Sequence, residues 1–217
     1  MPESIFRYFP SLSVGQKEKI SCLKPLYDEW NNKINVISRK DMDNFYIHHV
    51  LHSMSLAKII SFKAGTKILD VGTGGGFPGI PLAILFPHAE FTLLDSTAKK
   101  IKVARFVSDE LKLSNVSFKN KRVEDEKEKF DFIISRAVTE FNRFVELTSK
   151  NLKKSGNNDP GNGIFYLKGG DFEKELGRYR NSVKIWEIKN FFAEPYFETK
   201  KIICLPALSS PIGATCL

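Results

Sequence analysis

The spacing of apolar positions changes partway along this chain. Up to residue 62 they recur at three- and four-residue intervals; beyond it they gather into short apolar runs separated by helical segments. Residues 13–35 predict an amphipathic helix with Ile20, Leu23, Leu26, Tyr27 and Trp30 on one face, and Pro25 inside that pattern predicts a kink or a split. Residues 43–61 predict a second helix, with Phe45, Val50, Leu51, Met54 and Ile59 or Ile60 turned inward. The rest reads as strand 67–71, helix 78–86, strand 90–95, helix 97–112, strand 115–119, strand 130–135, helix 140–152, strand 163–168, helix 171–180, strand 183–189 and strand 199–205. Such alternation predicts a mostly parallel sheet covered on both faces. The last two strands have no long helix between them and predict an antiparallel pair at the sheet edge. The expected division is an N-terminal helical extension (1–62), an α/β domain (63–206) and a flexible tail (207–217). Ser155 to Gly163 is a run of turn formers, an exposed loop with no inferred chemistry.

The chemistry concentrates where the first predicted strand ends, at Asp70-Val71-Gly72-Thr73-Gly74-Gly75-Gly76-Phe77-Pro78-Gly79. Glycines there let the backbone bend tightly and a ligand approach closely. Pro78 suits a first helical turn. The next apolar run ends in Asp95, placed to accept from ribose hydroxyls. Gly74, Gly76 and Gly79 match the G-x-G-x-x-G of dinucleotide-binding turns. In that fold, however, the helix N-terminus faces a pyrophosphate, which Asp70 would repel. An acid there favours a cationic ligand, the ammonium and sulfonium of S-adenosyl-L-methionine, over a dinucleotide.

Composition narrows the setting. The 217 residues, 42% hydrophobic, are enough to bury a full core. The formal charge of +8 points to an anionic partner, with nucleic acid foremost, or to a solvated basic surface. Lys17, Lys19, Lys24, Lys33, Arg39 and Lys40 form a candidate RNA-facing surface. No run of about 18 apolar residues predicts a membrane span, and Met1-Pro2-Glu3-Ser4 has no apolar leader. Cys22, Cys204 and Cys216 are few and scattered, which argues for a reducing compartment. The expectation is a cytoplasmic protein, with nothing requiring more than a monomer. His48, His49 and His52 have helical spacing suited to a metal, but no carboxylate or cysteine cluster accompanies them, and none is expected.

The stretch from Asp70 to Ala83 resembles the signature of the bacterial small-subunit ribosomal RNA guanine-N7 methyltransferases, also called glucose-inhibited division protein B. Leu93-Leu94-Asp95-Ser96 with Lys99-Lys100, Arg122-Val123-Glu124, Ser135-Arg136-Ala137-Val138 and Leu167-Lys168-Gly169 are similar to further elements of that family, as is Trp30-Asn31 with Asn35. The family usually shows R-H-I-L-D-S where this chain has His48-His49-Val50-Leu51-His52-Ser53, so His49 matches while an arginine and an aspartate are replaced. The resemblance spans about residues 26–205, in order. It implies a class I S-adenosylmethionine-dependent methyltransferase fold: Rossmann-like, doubly wound, with an antiparallel C-terminal strand inserted by a hairpin. It also implies N7 methylation of a guanine in 16S ribosomal RNA, in the small ribosomal subunit or its precursor.

The expected donor site comprises Asp70, Gly72 and Gly74 toward the methionine end, Phe77 packed against it, Asp95 on the ribose and Val123 and Glu124 at the adenine. The resemblance adds Arg136 to the active site, among the residues expected to bind the cofactor. Its role stays open among the donor's carboxylate, an enzyme acid and an RNA phosphate. Lys168 is a candidate for phosphate or base contact, and Phe141, Phe77 or Arg136 for stacking on a base drawn out of its helix. Guanine N7 offers an in-plane lone pair and no proton, so positioning and electrostatics suffice without a general base. Two other classes share these features: a methyltransferase for a small molecule or protein, and a non-catalytic RNA-binding module.

Overall fold

The computed structural model describes residues 2–31, 34, 37–136, 138–156, 158 and 161–207. Lys33, Asn35, Ala137, part of the 155–163 loop, the tail beyond 207 and the side chains of Arg39 and Lys40 lie outside the described residues. Seven strands form one sheet: β1 (Lys67–Val71), β2 (Glu90–Asp95), β3 (Val116–Asn120), β4 (Phe132–Arg136), β5 (Gly163–Gly169), β6 (Lys184–Glu187) and β7 (Lys200–Pro206). Their order is β3-β2-β1-β4-β5-β7-β6. β7 runs antiparallel to both of its neighbours and is inserted between β5 and the edge strand β6. Every other pairing is parallel. The order reverses between β1 and β4, the point at whose carboxyl edge open α/β sheets bind ligands.

Alternation along the strands feeds two cores. On one face Ile68, Phe91, Leu93, Phe132, Ile134 and Phe165 pack under α5 (Gly79–Leu85) and α6 (Ala98–Glu110). On the other, Leu69, Val71, Ile133, Ile164 and Tyr166 meet Phe144 and Val145 of α7 (Phe141–Thr148). The N-terminal helices α1 (Glu3–Tyr8) and α2 (Val14–Asn31) join the first of these cores, through Ile5, Ile20, Leu23 and Tyr27. A short turn of helix, α3 (Arg39–Met42), follows them.

Several elements depart from expectation. Pro25 sits inside an unbroken α2. A proline there cannot donate to the carbonyl four residues back, which belongs to Ser21; the Tyr46 hydroxyl donates to that carbonyl instead, at 2.9 Å. The predicted helix 43–61 is wound as a π turn (Tyr46–Leu51), an α turn that forms α4 (His52–Met54) and a 3-10 turn (Ser55–Lys58). Phe45, Val50, Leu51, Met54 and Ile60 are buried as expected. The predicted helix 171–180 is a 3-10 segment (Glu173–Tyr179) broken at Gly177, where φ is +47°. Residues 188–190 form a 3-10 turn that ends β6 early. Among the described residues no helix is long and apolar enough to cross a membrane.

One contact that joins the extension to the sheet edge is made by Tyr27, whose hydroxyl donates to the Gly75 carbonyl at 2.6 Å. Burial keeps this phenol protonated by raising its pKa far above the ordinary value. Tyr27→Phe leaves that carbonyl without its partner and is expected to cost about 1–3 kcal/mol, read as a lowered urea midpoint at unchanged slope.

Candidate active site

Asp70 lies near the end of β1, fully buried. Its Oδ2 accepts from the Thr73 hydroxyl at 2.6 Å and from the Gly79 N–H at 2.8 Å, while its Oδ1 has no partner. Burial pushes the carboxyl up from 3.8 to about 7, against the opposing pull of Thr73, Gly79 and Arg136. The turn beyond it is left-handed at Gly72 (φ +67°) and Gly74 (φ +59°), a region that side chains occupy at a cost. A Cβ on Gly72 would lie 2.4 Å from Val138 Cγ2, whereas one on Gly74 would meet no protein atom within 4 Å. Pro78 stands just before α5 rather than in its first turn.

Asp95 ends β2 and fastens the two turns together. Its Oδ2 accepts from the Gly74 N–H at 3.0 Å and its Oδ1 from the Thr97 N–H at 2.8 Å, with a second lone pair left on each oxygen. Val123 and Glu124 share a 3-10 turn (Val123–Asp125) after β3; Val123 is buried and Glu124 exposed, its carbonyl held by Lys150 Nζ.

Arg136 is the last residue of β4 rather than lying just beyond it. Its guanidinium donates to the His48 carbonyl at 3.3 Å and to His49 Nδ1 at 3.0 Å, and stands 5.2 Å from the centre of the Phe77 ring. Burial, reinforced by the guanidinium, lowers the His49 pKa to about 3. That imidazole is therefore neutral, accepting at Nδ1 and carrying its proton on Nε2. Among the described residues no carboxylate lies within 4.0 Å of Arg136, and Asp70 and Asp41 act on it from farther off. Phe77 is 3% exposed, enclosed by Tyr27, Phe45 and His49.

Lys168 and Arg136 line one pocket of about 220 Å³ together with His48, Gly169, Tyr196 and Lys200. Lys168 is paired with Glu175 at 2.8 Å. The expectation for Phe141 is corrected: its ring is fully buried against Tyr166 and Tyr179, closed to a base. Asn31 of the Trp-Asn element bonds both ways to the Ile37 backbone, closing the loop after α2. His48 bonds Asp41 at 3.1 Å and stacks on Tyr196, His49 meets Arg136, and His52 faces the hydroxyl of the same Tyr196. Of the basic extension, Lys24 pairs with Asp28 and Lys17 lies over the Phe6 ring. Sequence reasoning missed Tyr27, Tyr196 and Lys200; the last two follow β6 in a segment without a motif.

Asp70 and Asp95 make the turn acidic, Asp70 Oδ1 is buried without a partner, and open space lies beside Gly74. The inserted antiparallel strand and this acid-glycine turn define a class I S-adenosylmethionine-dependent methyltransferase. The fold is similar to that of a precorrin-6y C5,15-methyltransferase from Geobacter metallireducens, at TM-score 0.55 and 13% identity, over 72% of this chain and 87% of that one. It is likewise similar to an MtNAS mutant in complex with S-adenosylmethionine, at TM-score 0.55 and 13% identity, over 90% and 77% of the two chains. A family model described as GidB, rRNA small subunit methyltransferase G, matches residues 16–202. Proteins named ribosomal RNA small subunit methyltransferase G are 49% identical in Phocaeicola vulgatus (93% of this chain, 96% of the relative) and 51% identical in Flavobacterium psychrophilum (94% and 97%). The chain belongs to the GidB family of rRNA small subunit methyltransferases, whose methyl donor is S-adenosyl-L-methionine.

A carboxyl raised to about 7 is protonated in the ligand-free protein below that pH, whereas an ammonium requires it ionised. Raising the pH from 5 to 7 should therefore strengthen donor binding, by up to about tenfold per unit; calorimetry should show this slope flattened in Asp70→Asn. Gly74→Ala should cost about 1–2 kcal/mol of stability from its positive φ, and should weaken donor affinity more than that strain accounts for.

Proposed function

We propose that this protein transfers the methyl group of S-adenosyl-L-methionine to N7 of a guanine in 16S ribosomal RNA, in the small subunit or its precursor. The carrying observation is the match to the rRNA methyltransferase family over nearly the whole chain, joined to an acid-lined donor seat. When bound, the donor supplies a methyl group activated by its sulfonium. Asp70 would face the donor's ammonium, Asp95 its ribose, and Val123 and Glu124 its adenine, while the Gly72–Gly74 backbone would approach the methionine end.

With the donor held there, an in-line displacement would form the bond from N7 to carbon as the carbon–sulfur bond breaks, the positive charge passing from sulfur to the base. No proton leaves N7, so a neutral His49 engaged by Arg136 serves as an orienting group and not as a base. N7 faces the major groove, which in A-form RNA is too deep and narrow for side chains, so the guanine must be unpaired or displaced. Phe77 backs the donor turn from the core side, and Lys168 stands on the acceptor side of Arg136. Both seats belong to a single chain, in keeping with a monomer acting where ribosomes are made, in the cytoplasm.

Incubation with radiolabelled donor and small subunits from cells lacking this protein should place label in 16S RNA as N7-methylguanosine. A mixed protein extract should stay unlabelled. Label in protein or small molecules, or in RNA at another atom, would overturn the assignment.

A further inference from the structure

The pocket of about 220 Å³ at the carboxyl edge of β4 and β5 contains none of the residues assigned to the donor except Arg136. Its volume falls below the roughly 300–1,000 Å³ that a whole small-molecule ligand occupies, so it suits a group and not an entire nucleoside. Two of its cations are uncommitted. Neither Arg136 nor Lys200 has a carboxylate within 4.0 Å among the described residues, whereas Lys168 is neutralised by Glu175. The one acid in the lining, Asp41, bonds His48.

Both free cations are held in place. Arg136 is fixed by the His48 carbonyl, by His49 Nδ1 and by the Phe77 ring. Lys200 opens β7 directly opposite Gly169, and a Cβ on Gly169 would lie 2.8 Å from Lys200 Nζ, so the glycine leaves that ammonium its space. Lys200 Nζ stands 4.7 Å from the centre of the Tyr196 ring. That ring is itself stacked on His48 at 3.9 Å and 17°, and its hydroxyl faces the His48 carbonyl and His52 Nδ1, both at 3.4 Å. An aromatic face under a lysine fixes the ammonium without neutralising it. Preorganised, unneutralised cations in a small concave site are an arrangement for an anion.

We propose that Arg136 and Lys200, with Tyr196 as the support of Lys200, seat a backbone phosphodiester of the RNA beside the nucleotide to be methylated. This deepens the rRNA reading and rests on it. A phosphate held here anchors the strand at the β4–β5 edge, next to the β1 turn that carries the donor. Lys200 and Tyr196 thereby gain a role in acceptor positioning.

The test uses the full chain with bound S-adenosylhomocysteine and a 16S RNA transcript, with RNA affinity measured across a salt series. Methylation kinetics on small subunits and donor affinity are recorded in parallel. Lys200→Ala should shift the slope of log affinity against log salt by about one phosphate contact. It should also lower kcat/KM for RNA by about tenfold, with the donor dissociation constant and thermal midpoint unchanged. Lys200→Arg, which keeps the charge, should restore the slope. An unaltered slope and kcat/KM in Lys200→Ala would overturn the proposal. So would a loss of donor affinity with RNA binding intact, which would make the anion the donor's own carboxylate. If the wild type methylates no ribosomal RNA yet Lys200→Ala still flattens the slope, the phosphate seat stands and the rRNA reading falls.

Discussion

The architecture turns on a carboxylate buried near the end of β1. An acid removed from water is costly unless hydrogen bonds compensate it, and Asp70 receives two on a single oxygen, from Thr73 and Gly79. Those two bonds fold the glycine turn back on the strand and fix where α5 starts. They also make Gly79 obligatory, since a Cβ there would stand 2.7 Å from Asp70 Oδ2. The second oxygen is left without a partner, and burial raises the group toward neutrality. A carboxyl in that condition gains most from a nearby cation.

The N-terminal helices complete this arrangement from above. Tyr27 reaches the Gly75 carbonyl, and Phe45 and His49 close over Phe77. His48 and His49 then supply the oxygen and nitrogen that hold Arg136. Arg136 is therefore held in place by the extension, although it belongs to the sheet. The departure at His48 and His52 from the family's usual residues falls in this layer. In this chain both imidazoles meet Tyr196, one by stacking and the other edge-on.

Much of this was legible in the sequence, because strand ends and glycine turns obey local rules. Asp70, Gly72, Gly74 and Asp95 stand where period and turn chemistry put them. Other features depend on contacts far along the chain. Pro25 obeys the local rule by losing a hydrogen bond, yet α2 continues because Tyr46 satisfies the Ser21 carbonyl. Gly177 and the charged residues around it give a helical pattern too few apolar anchors, and the segment tightens to 3-10. Phe141 carried its own signal: with Phe144, Val145 and Thr148 it marks the buried face of α7, which outweighs its nearness to Arg136 in sequence. Tyr196 and Lys200 had none, since only the insertion of β7 brings them beside β5.

The site as a whole separates charge. Acids stand at the ends of β1 and β2, while Arg136 at the end of β4 and Lys200 at the start of β7 have no carboxylate within 4.0 Å among the described residues, with the sheet's reversal of order between β1 and β4. A cationic donor and an anionic strand are each attracted to a different side of that line. Neither attraction requires a group to change protonation during the transfer. Methyl transfer from a sulfonium to RNA carries positive charge away from the acids. A low-dielectric edge strengthens both fields, so one division of charge serves binding and catalysis together. This is why a reaction without a general base can still depend on ionised residues.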